Sequence, residues 1–446
     1  MKEIIPLKRF SVKSLSSSAL LLIVTVLAMI VANSPLAGYY NDFFSAEIQL
    51  RIGEFNLFAH GNRSMTLLEF INDGLMTFFF FLVGLEIKRE VLVGELSSFR
   101  QAFLPIIAAC GGMIVPVILF RLIAPEYPES VGSAIPMATD IAFALGVLGL
   151  LGDRVPLSLK VFLMAFAVVD DIGGIIVIAL FYSSGIVWSM LIVSMCLLAL
   201  LIVANYYHIS SKLFYILIGL VIWGLFFKSG IHSTISGVLV AFCIPARPRI
   251  DVGNYVFAMR ERLALLPEIK SEKGKALLLT NTQIAILKQL ESASDEVISP
   301  LQDMEDNLHD IVNYLIMPLF AFANAGISLN GFSLDMFTHG VTLAAMIGLV
   351  VGKFIGIYFF TWAVIRLKLV QMPIGMNWNN LLGVAMLGGI GFTVSLFIAN
   401  LSYGDIPEVG PVLLNQVKIG VLCGSVIAGL LGVSYLQYIL PKKKKI

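Results

Sequence analysis

Apolar runs about as long as a bilayer is thick recur along this chain, separated by short polar gaps. A hydropathy window of about 19 residues marks segments near 16–33, 66–86, 102–123, 134–152, 157–182, 186–206, 212–228, 231–246, 311–328, 340–365, 380–400 and 411–438. Twelve membrane elements are therefore expected, some short or broken, and the one near 231–246 is barely long enough to span alone. Two stretches depart from the pattern. Residues 47–57, Glu47-Ile48-Gln49-Leu50-Arg51-Ile52-Gly53-Glu54-Phe55-Asn56-Leu57, alternate apolar and polar positions about a glycine and predict a small β-hairpin on the outer face. Its exposed edge offers a second subunit a pairing surface, although a lone surface hairpin fits the pattern as well. Residues 247–304 are charged and rich in helix-formers, notably Val256 to Leu266 and Thr282 to Ser292. The expected layout is a cytoplasmic N-terminus (1–14), spans one to eight (15–246), a cytoplasmic insertion (247–304), spans nine to twelve (305–438) and a basic cytoplasmic tail (439–446).

Composition agrees with lipid as the main solvent. The 446 residues are 58% hydrophobic and 13% charged, against roughly 25% charged in soluble domains. The net charge of +1 hides an asymmetry. Lys2, Lys8, Arg9 and Lys13 precede the first span, and Lys442 to Lys445 follow the last. Lys88, Arg89, Arg100, Arg154, Lys212, Arg366 and Lys368 fall in loops on that same side, whereas Arg51, Arg63, Arg121 and Lys228 fall on the other. By the positive-inside rule both termini are cytoplasmic. The polar start, Met1 to Lys13, is not expected to be a cleavable leader. Cys110, Cys196, Cys243 and Cys423 lie in apolar runs without CxxC spacing and read as packing residues. There is no phosphate loop, nucleophile elbow or zinc spacing. The chain is not expected to be an enzyme, to hold a resident cofactor or to bind nucleic acid.

The chemistry lies in charges at membrane depth. Val169-Asp170-Asp171-Ile172 places two acids in the middle of the apolar stretch Val161 to Phe181, Asp140 follows Thr139 inside the preceding segment, and Lys353 interrupts a later one. Each such group costs roughly 2.5–3.5 kcal/mol on insertion scales, so the set reads as an ion or proton pathway. Asp170 and Asp171 project about 100° apart on a helix. One can face water while the other reaches a neighbouring helix, and Lys353 is the natural partner for one of them. Gly348, Gly352 and Gly356 bracket Lys353 at intervals of four, which lets another backbone approach closely. Gly388-Gly389-Ile390-Gly391 interrupts the eleventh segment, and Pro136 with Thr139-Asp140 interrupts the fourth. Two interruptions in corresponding places point to a site at the bilayer midplane.

A hard cation such as Na⁺ or Li⁺ prefers carboxylate and carbonyl oxygens, and protons compete for the same carboxylates. One site loaded by either, with alternating access, suffices for an exchanger. Asp140 either contacts the ion or compensates the positive ends of two half-helices, with Lys353 balancing the negative ends. Glu86 and Glu90 share a helix face with Arg89 beside it, and Glu305 and His309 repeat the i, i+4 spacing. These form either a protonation-sensitive gate or an ordinary interfacial charge belt. His232, in Lys228-Ser229-Gly230-Ile231-His232, reads as a packed or interfacial histidine. A passive cation channel and an organic-anion symporter remain alternatives, with a non-transporting sensor behind them.

Ala138-Thr139-Asp140-Ile141-Ala142-Phe143-Ala144-Leu145-Gly146, Val169-Asp170-Asp171, Gly84-Leu85-Glu86, Lys228-Ser229-Gly230-Ile231-His232, Ala321-Phe322-Ala323-Asn324-Ala325-Gly326 and Gly389-Ile390-Gly391-Phe392-Thr393, in that set, resemble the NhaA family of sodium/proton antiporters. That family is itself one in which paired helix interruptions form the midplane site. The resemblance implies an all-α polytopic membrane protein of twelve transmembrane helices, with inverted repeats in spans 3–5 and 10–12 and two broken crossing helices. It implies electrogenic, pH-regulated export of Na⁺ or Li⁺ against H⁺ by a homodimer in the bacterial inner membrane, paired through the hairpin. Asp170 and Asp171 would bind the ion, Asp171 most directly, Lys353 would pair with Asp170, and Thr139 and Asp140 would lie at the crossing. Glu86, Arg89, Glu90, Glu305 and His309 match positions the family associates with pH response, and His232 is grouped with them. The insertion before Glu305 departs from the compact family pattern.

Overall fold

The computed structural model describes residues 17–49, 51–52, 55–56, 59–60, 63–182, 185–248, 250–264, 280–328, 334–338, 340–404 and 406–440. Its helices are α1 (Ser17–Ala32), α2 (Ala37–Ser45), α3 (Leu67–Val93), α4 (Phe99–Ile123), α5 (Ile141–Gly149), α6 (Leu157–Phe181), α7 (Trp188–Tyr206), α8 (Lys212–Ser229) and α9 (Thr234–Cys243). They continue as α10 (Val252–Ala264), α11 (Asn281–Val297), α12 (Pro300–Ile311), α13 (Met317–Asn324), α14 (Gly340–Arg366), α15 (Trp378–Leu387), α16 (Phe392–Tyr403) and α17 (Gly410–Ile439). Among the described residues seven helices are long and apolar enough to cross a membrane, or ten if each of three bent pairs is one span. The chain is a mainly helical, polytopic membrane protein. α9 is a shorter apolar helix, as the weak eighth segment foreshadowed, and the ninth segment is α12 and α13 joined by a π-helical turn, Val312–Ile316.

Both expected interruptions are present as breaks. A 3₁₀ segment, Glu129–Met137, is followed by α5 at a 45° bend, and α15 is followed by α16 at the same angle. Local chemistry explains each restart. Asp140 caps α5 by accepting from Phe143 N at 2.9 Å, a standard role for an aspartate at that position. Gly388 to Gly391 end α15, and no side-chain cap starts α16 from Gly391 itself.

The glycines around Lys353 bring α14 against α4. A Cβ on Gly356 would sit 2.1 Å from the Gly111 carbonyl oxygen, and one on Gly352 would sit 2.8 Å from Pro116 Cα. A π-helical turn, Gly348–Gly352, delivers Lys353 at the start of the next α-helical stretch. The lysine Nζ lies 5.4 Å from the centre of the Phe166 ring on α6.

The expected hairpin near 47–57 occupies part of a longer run of short strands. Arg51–Ile52 pairs antiparallel with Phe55–Asn56, while Glu47–Ile48 and Ala59–His60 both pair with Arg63–Thr66. In the insertion, α10 and α11 lie together, joined by Tyr255 Oη and Ser294 Oγ at 2.8 Å. Thr280 and Gln283 close a capping box at the start of α11. The four cysteines are free.

Candidate functional site

The two interruptions cross, and their loose ends are tied to one another. Asp140 N donates to the Ile390 carbonyl at 2.7 Å, and Ser395 Oγ donates to the Ile135 carbonyl at 2.7 Å. Asp140 uses its second carboxylate oxygen on the other helix, accepting from Thr393 Oγ1 at 2.6 Å and Thr393 N at 3.2 Å. One buried acid therefore sits on the positive ends of both α5 and α16. The opposite charge serves the opposite end. Lys353 Nζ donates to Thr139 Oγ1 at 2.9 Å, and the Thr139 hydroxyl donates to the Gly388 carbonyl, at the end of α15, at 2.8 Å.

The two adjacent aspartates separate as their angle on α6 requires. Asp170 Oδ2 accepts from Lys353 Nζ at 2.5 Å, with both side chains fully buried. Its other oxygen, Oδ1, is buried without a hydrogen-bond partner in the described structure. Asp171 instead borders a cavity of about 420 Å³. That cavity runs from Ser17, Glu86, His309 and Asn313 to Thr139, Asp140 and Asp171 at its inner end. Of the two carboxylates, Asp171 lines the cavity, whereas Asp170 is sealed against Lys353. Among the described residues no three His, Cys, Asp or Glu side chains converge on a metal-holding point. A larger crevice of about 650 Å³ lies between α3, α8 and α9, but Phe78, Phe81, Leu220, Trp223 and Val240 make its walls apolar.

The mouth of the cavity carries a second set of charges. Arg89 is paired with Glu305 and, at 3.0 Å, with Glu90. Glu86 stands one helical turn away on the cavity wall. Burial pushes the Glu305 carboxyl, which precedes the apolar part of its helix, above its usual range, and the Arg89 guanidinium pulls it back down. His309 also borders the mouth, but its ring is largely exposed and approaches Asn313 Nδ2 at 3.1 Å and Asp310 at 4.0 Å rather than the Arg89 pairs.

The Na⁺/H⁺ antiporter 1 family profile matches residues 8–436. A protein from Bacteroides thetaiotaomicron is 58% identical, over 98% of this chain and 98% of its own. One from Bacteroides fragilis is 56% identical over 98% and 99%, and one from Porphyromonas gingivalis 48% identical over 97% and 95%. All three are named Na⁺/H⁺ antiporter NhaA. The chain belongs to the NhaA family of Na⁺/H⁺ antiporters. The relatives match along almost their whole length, so this antiporter's insertion and ion crossing lie within the matched region.

Of the residues singled out in sequence, the antiporter fold gathers Thr139, Asp140, Asp170, Asp171, Lys353, Gly388, Gly389 and Gly391 at the crossing, and Glu86, Arg89, Glu90 and Glu305 at the mouth. His232 belongs to neither group. It precedes α9 at the level of Asp73, far along α3 from Arg89, and packs against Phe397 with ring centres 6.5 Å apart. The loop expected to hold Lys88 and Arg89 is the end of α3. Lys88 Nζ there donates to the carbonyls of Phe242, at 2.7 Å, and Ile244, at 2.5 Å, closing the end of α9. Thr393 was part of a motif but carried no assigned role, because a threonine inside an apolar run has no pattern that shows which carboxylate it meets.

Proposed function

We propose that this antiporter exports Na⁺ or Li⁺ electrogenically, each ion leaving in exchange for more than one proton. Asp171 and Asp170 are the shared site. A cation arriving through the cytoplasmic cavity takes Asp171 and Asp170, and two protons leave to the cytoplasm, one from Asp171 and one that the Asp170–Lys353 pair holds. Lys353, once its pair has given up that proton, keeps its hydrogen bond to the Thr139 hydroxyl and leaves both carboxylates to the cation. Asp140 and Thr139 keep the crossing in register while one helical bundle rocks against the other. The observation that carries this reading is the split of adjacent aspartates, one ion-paired to Lys353 and one on the cavity.

The same reading extends to the whole molecule. Twelve spans arise if α9 and the α12–α13 helix each count as one with the bent pairs. Spans 3–5 and 10–12 form inverted repeats, both termini face the cytoplasm of a bacterial inner membrane, and the strands around 47–66 join two copies. Glu86, Arg89, Glu90 and Glu305 act as the pH-responsive group, with His309 at the rim.

In proteoliposomes an imposed pH gradient drives Na⁺ uptake by the native chain, and Asp171→Asn reduces that flux to the level of empty vesicles. Gradient-driven Na⁺ flux of native size in Asp171→Asn overturns the site. Na⁺ conductance in the native chain without coupled proton movement overturns exchange itself.

A further inference from the structure

The cavity ends at the crossing, and the way onward to the outer face is closed by two layers on α16. In the first, the Phe397 ring lies 5.5 Å from Phe80 on α3 and 6.5 Å from Phe320 on α13. The second lies one turn further along. Asn400 Nδ2 donates to Asn324 Oδ1 at 2.6 Å, and Asn324 Nδ2 donates to Asn72 Oδ1 at 2.7 Å. Each donor also returns a bond to its own helix, Asn400 to the Leu396 carbonyl and Asn324 to the Phe320 carbonyl, both at 3.0 Å. Asn324 is fully buried.

The ladder crosses a seam between parts that pack mainly with different neighbours and otherwise meet at the Phe397 ring contacts. α16 rests on α17 and on the 3₁₀ segment, whereas α13 and the π-helical turn of α3 that bears Asn72 rest on each other, and α13 also packs on α1. On the cytoplasmic side of the crossing these two groups are held apart by the cavity. On the outer side they are joined by the hydrogen bond between the Asn400 and Asn324 amides, next to the Phe397–Phe320 ring contact. Three stacked amides inside an apolar seam are costly to leave unpaired. Opening the seam separates Asn400 from Asn324, while Asn324 keeps Asn72.

We propose that Asn400 is a positioning residue for ion exchange, its bond to Asn324, backed by Asn72, latching the outer closure and setting how often the loaded site faces outward. This rests on the alternating-access exchange proposed above. The latch belongs to the closed state alone, so removing it shifts the population outward without touching the ion site.

The test measures apparent Na⁺ KM from each side, in right-side-out and inverted vesicles, for the native chain, Asn400→Ala and the near-isosteric Asn400→Leu. Loss of one such bond lowers the outer-side KM roughly two- to tenfold, and the cytoplasmic-side KM stays or rises. Asn324→Ala gives the same direction, and the Asn324→Ala/Asn400→Ala double variant goes no further than the stronger single one. An unchanged outer-side KM, both values moving together, or a fall in maximal rate alone in Asn400→Leu overturns the latch. If the native chain exchanges Na⁺ for H⁺ while the variants show no shift, only the latch fails. If the native chain does not exchange, the functional reading fails and takes the latch with it.

Discussion

Two sets of charges lie at the two ends of the cavity, and they are held in opposite ways. At the crossing, Lys353 comes from α14, Asp170 from α6, and Thr139 and Asp140 from the first interruption, so every bond joins two different elements. At the mouth, Arg89 and Glu90 are neighbours on one helix, and the Arg89 side chain keeps 36% of its surface exposed. The difference sets what each group can do. A charge at the crossing cannot move without leaving another uncompensated in a dry interior, which costs several kcal/mol. At the mouth the partly exposed Arg89 meets water and can trade partners, while buried Glu305 has a raised carboxyl that can take up a proton when the guanidinium leaves. The crossing suits obligate coupling, and the mouth suits adjustment.

Breaking the crossing should therefore have the largest effect. Lys353→Ala strands a buried Asp170 and lowers stability by about 3–5 kcal/mol, read as a drop in unfolding temperature in detergent. Adding Asp170→Asn removes the stranded charge, so the double variant recovers most of the stability while ion-driven proton movement stays lost. A double variant as unstable as Lys353→Ala alone means the pair is not what the lysine satisfies. Asp140 is the next step down. Asp140→Ala removes the acceptor from both α5 and α16 and costs about 0.5–2 kcal/mol for each helix start. Asp140→Asn keeps an oxygen for one of them and should fall between. Equal unfolding temperatures for the two variants would show that Asp140 acts by charge alone and not as a cap.

Much of the crossing was legible because membrane depth makes each polar residue expensive. A lone lysine and a pair of acids in otherwise apolar segments have few partners to choose from. Gly388 to Gly391 and Pro136 announced breaks because neither type sustains a helix. The angle between adjacent helical residues already required Asp170 and Asp171 to face different neighbours. Other features left no such trace. The π-helical turns at Phe70–Leu75, Val312–Ile316 and Gly348–Gly352 arise from packing between helices. Asn72, Asn324 and Asn400 are far apart in sequence, and only the fold stacks them. His232 was drawn toward the pH group by its residue type, but its helix runs alongside α3 and places it at the other end. Glu47–Ile48 pairs with Met65–Thr66 instead of with its nearest candidate, because alternation fixes which residues are strands but not which strand each one meets.

The mouth offers the smallest and most diagnostic perturbation. Arg89→Gln removes the guanidinium that holds Glu305 down, and burial then raises the Glu305 carboxyl further. A carboxyl raised in this way takes up its proton at a higher pH, so the acidic limb of the exchange profile should move toward alkaline pH. Glu305→Gln, which carries no titrating carboxyl, should remove that dependence on Arg89, leaving the double variant with the profile of Glu305→Gln alone. Because Arg89 is partly exposed, unfolding temperature should barely change in any of the three. The Na⁺ KM at the pH of maximal rate should also hold, since the crossing is untouched. The measurement is exchange rate against pH in inverted vesicles. A profile that keeps its midpoint while the KM rises would place Arg89 on the ion path and erase the division between the two charged regions.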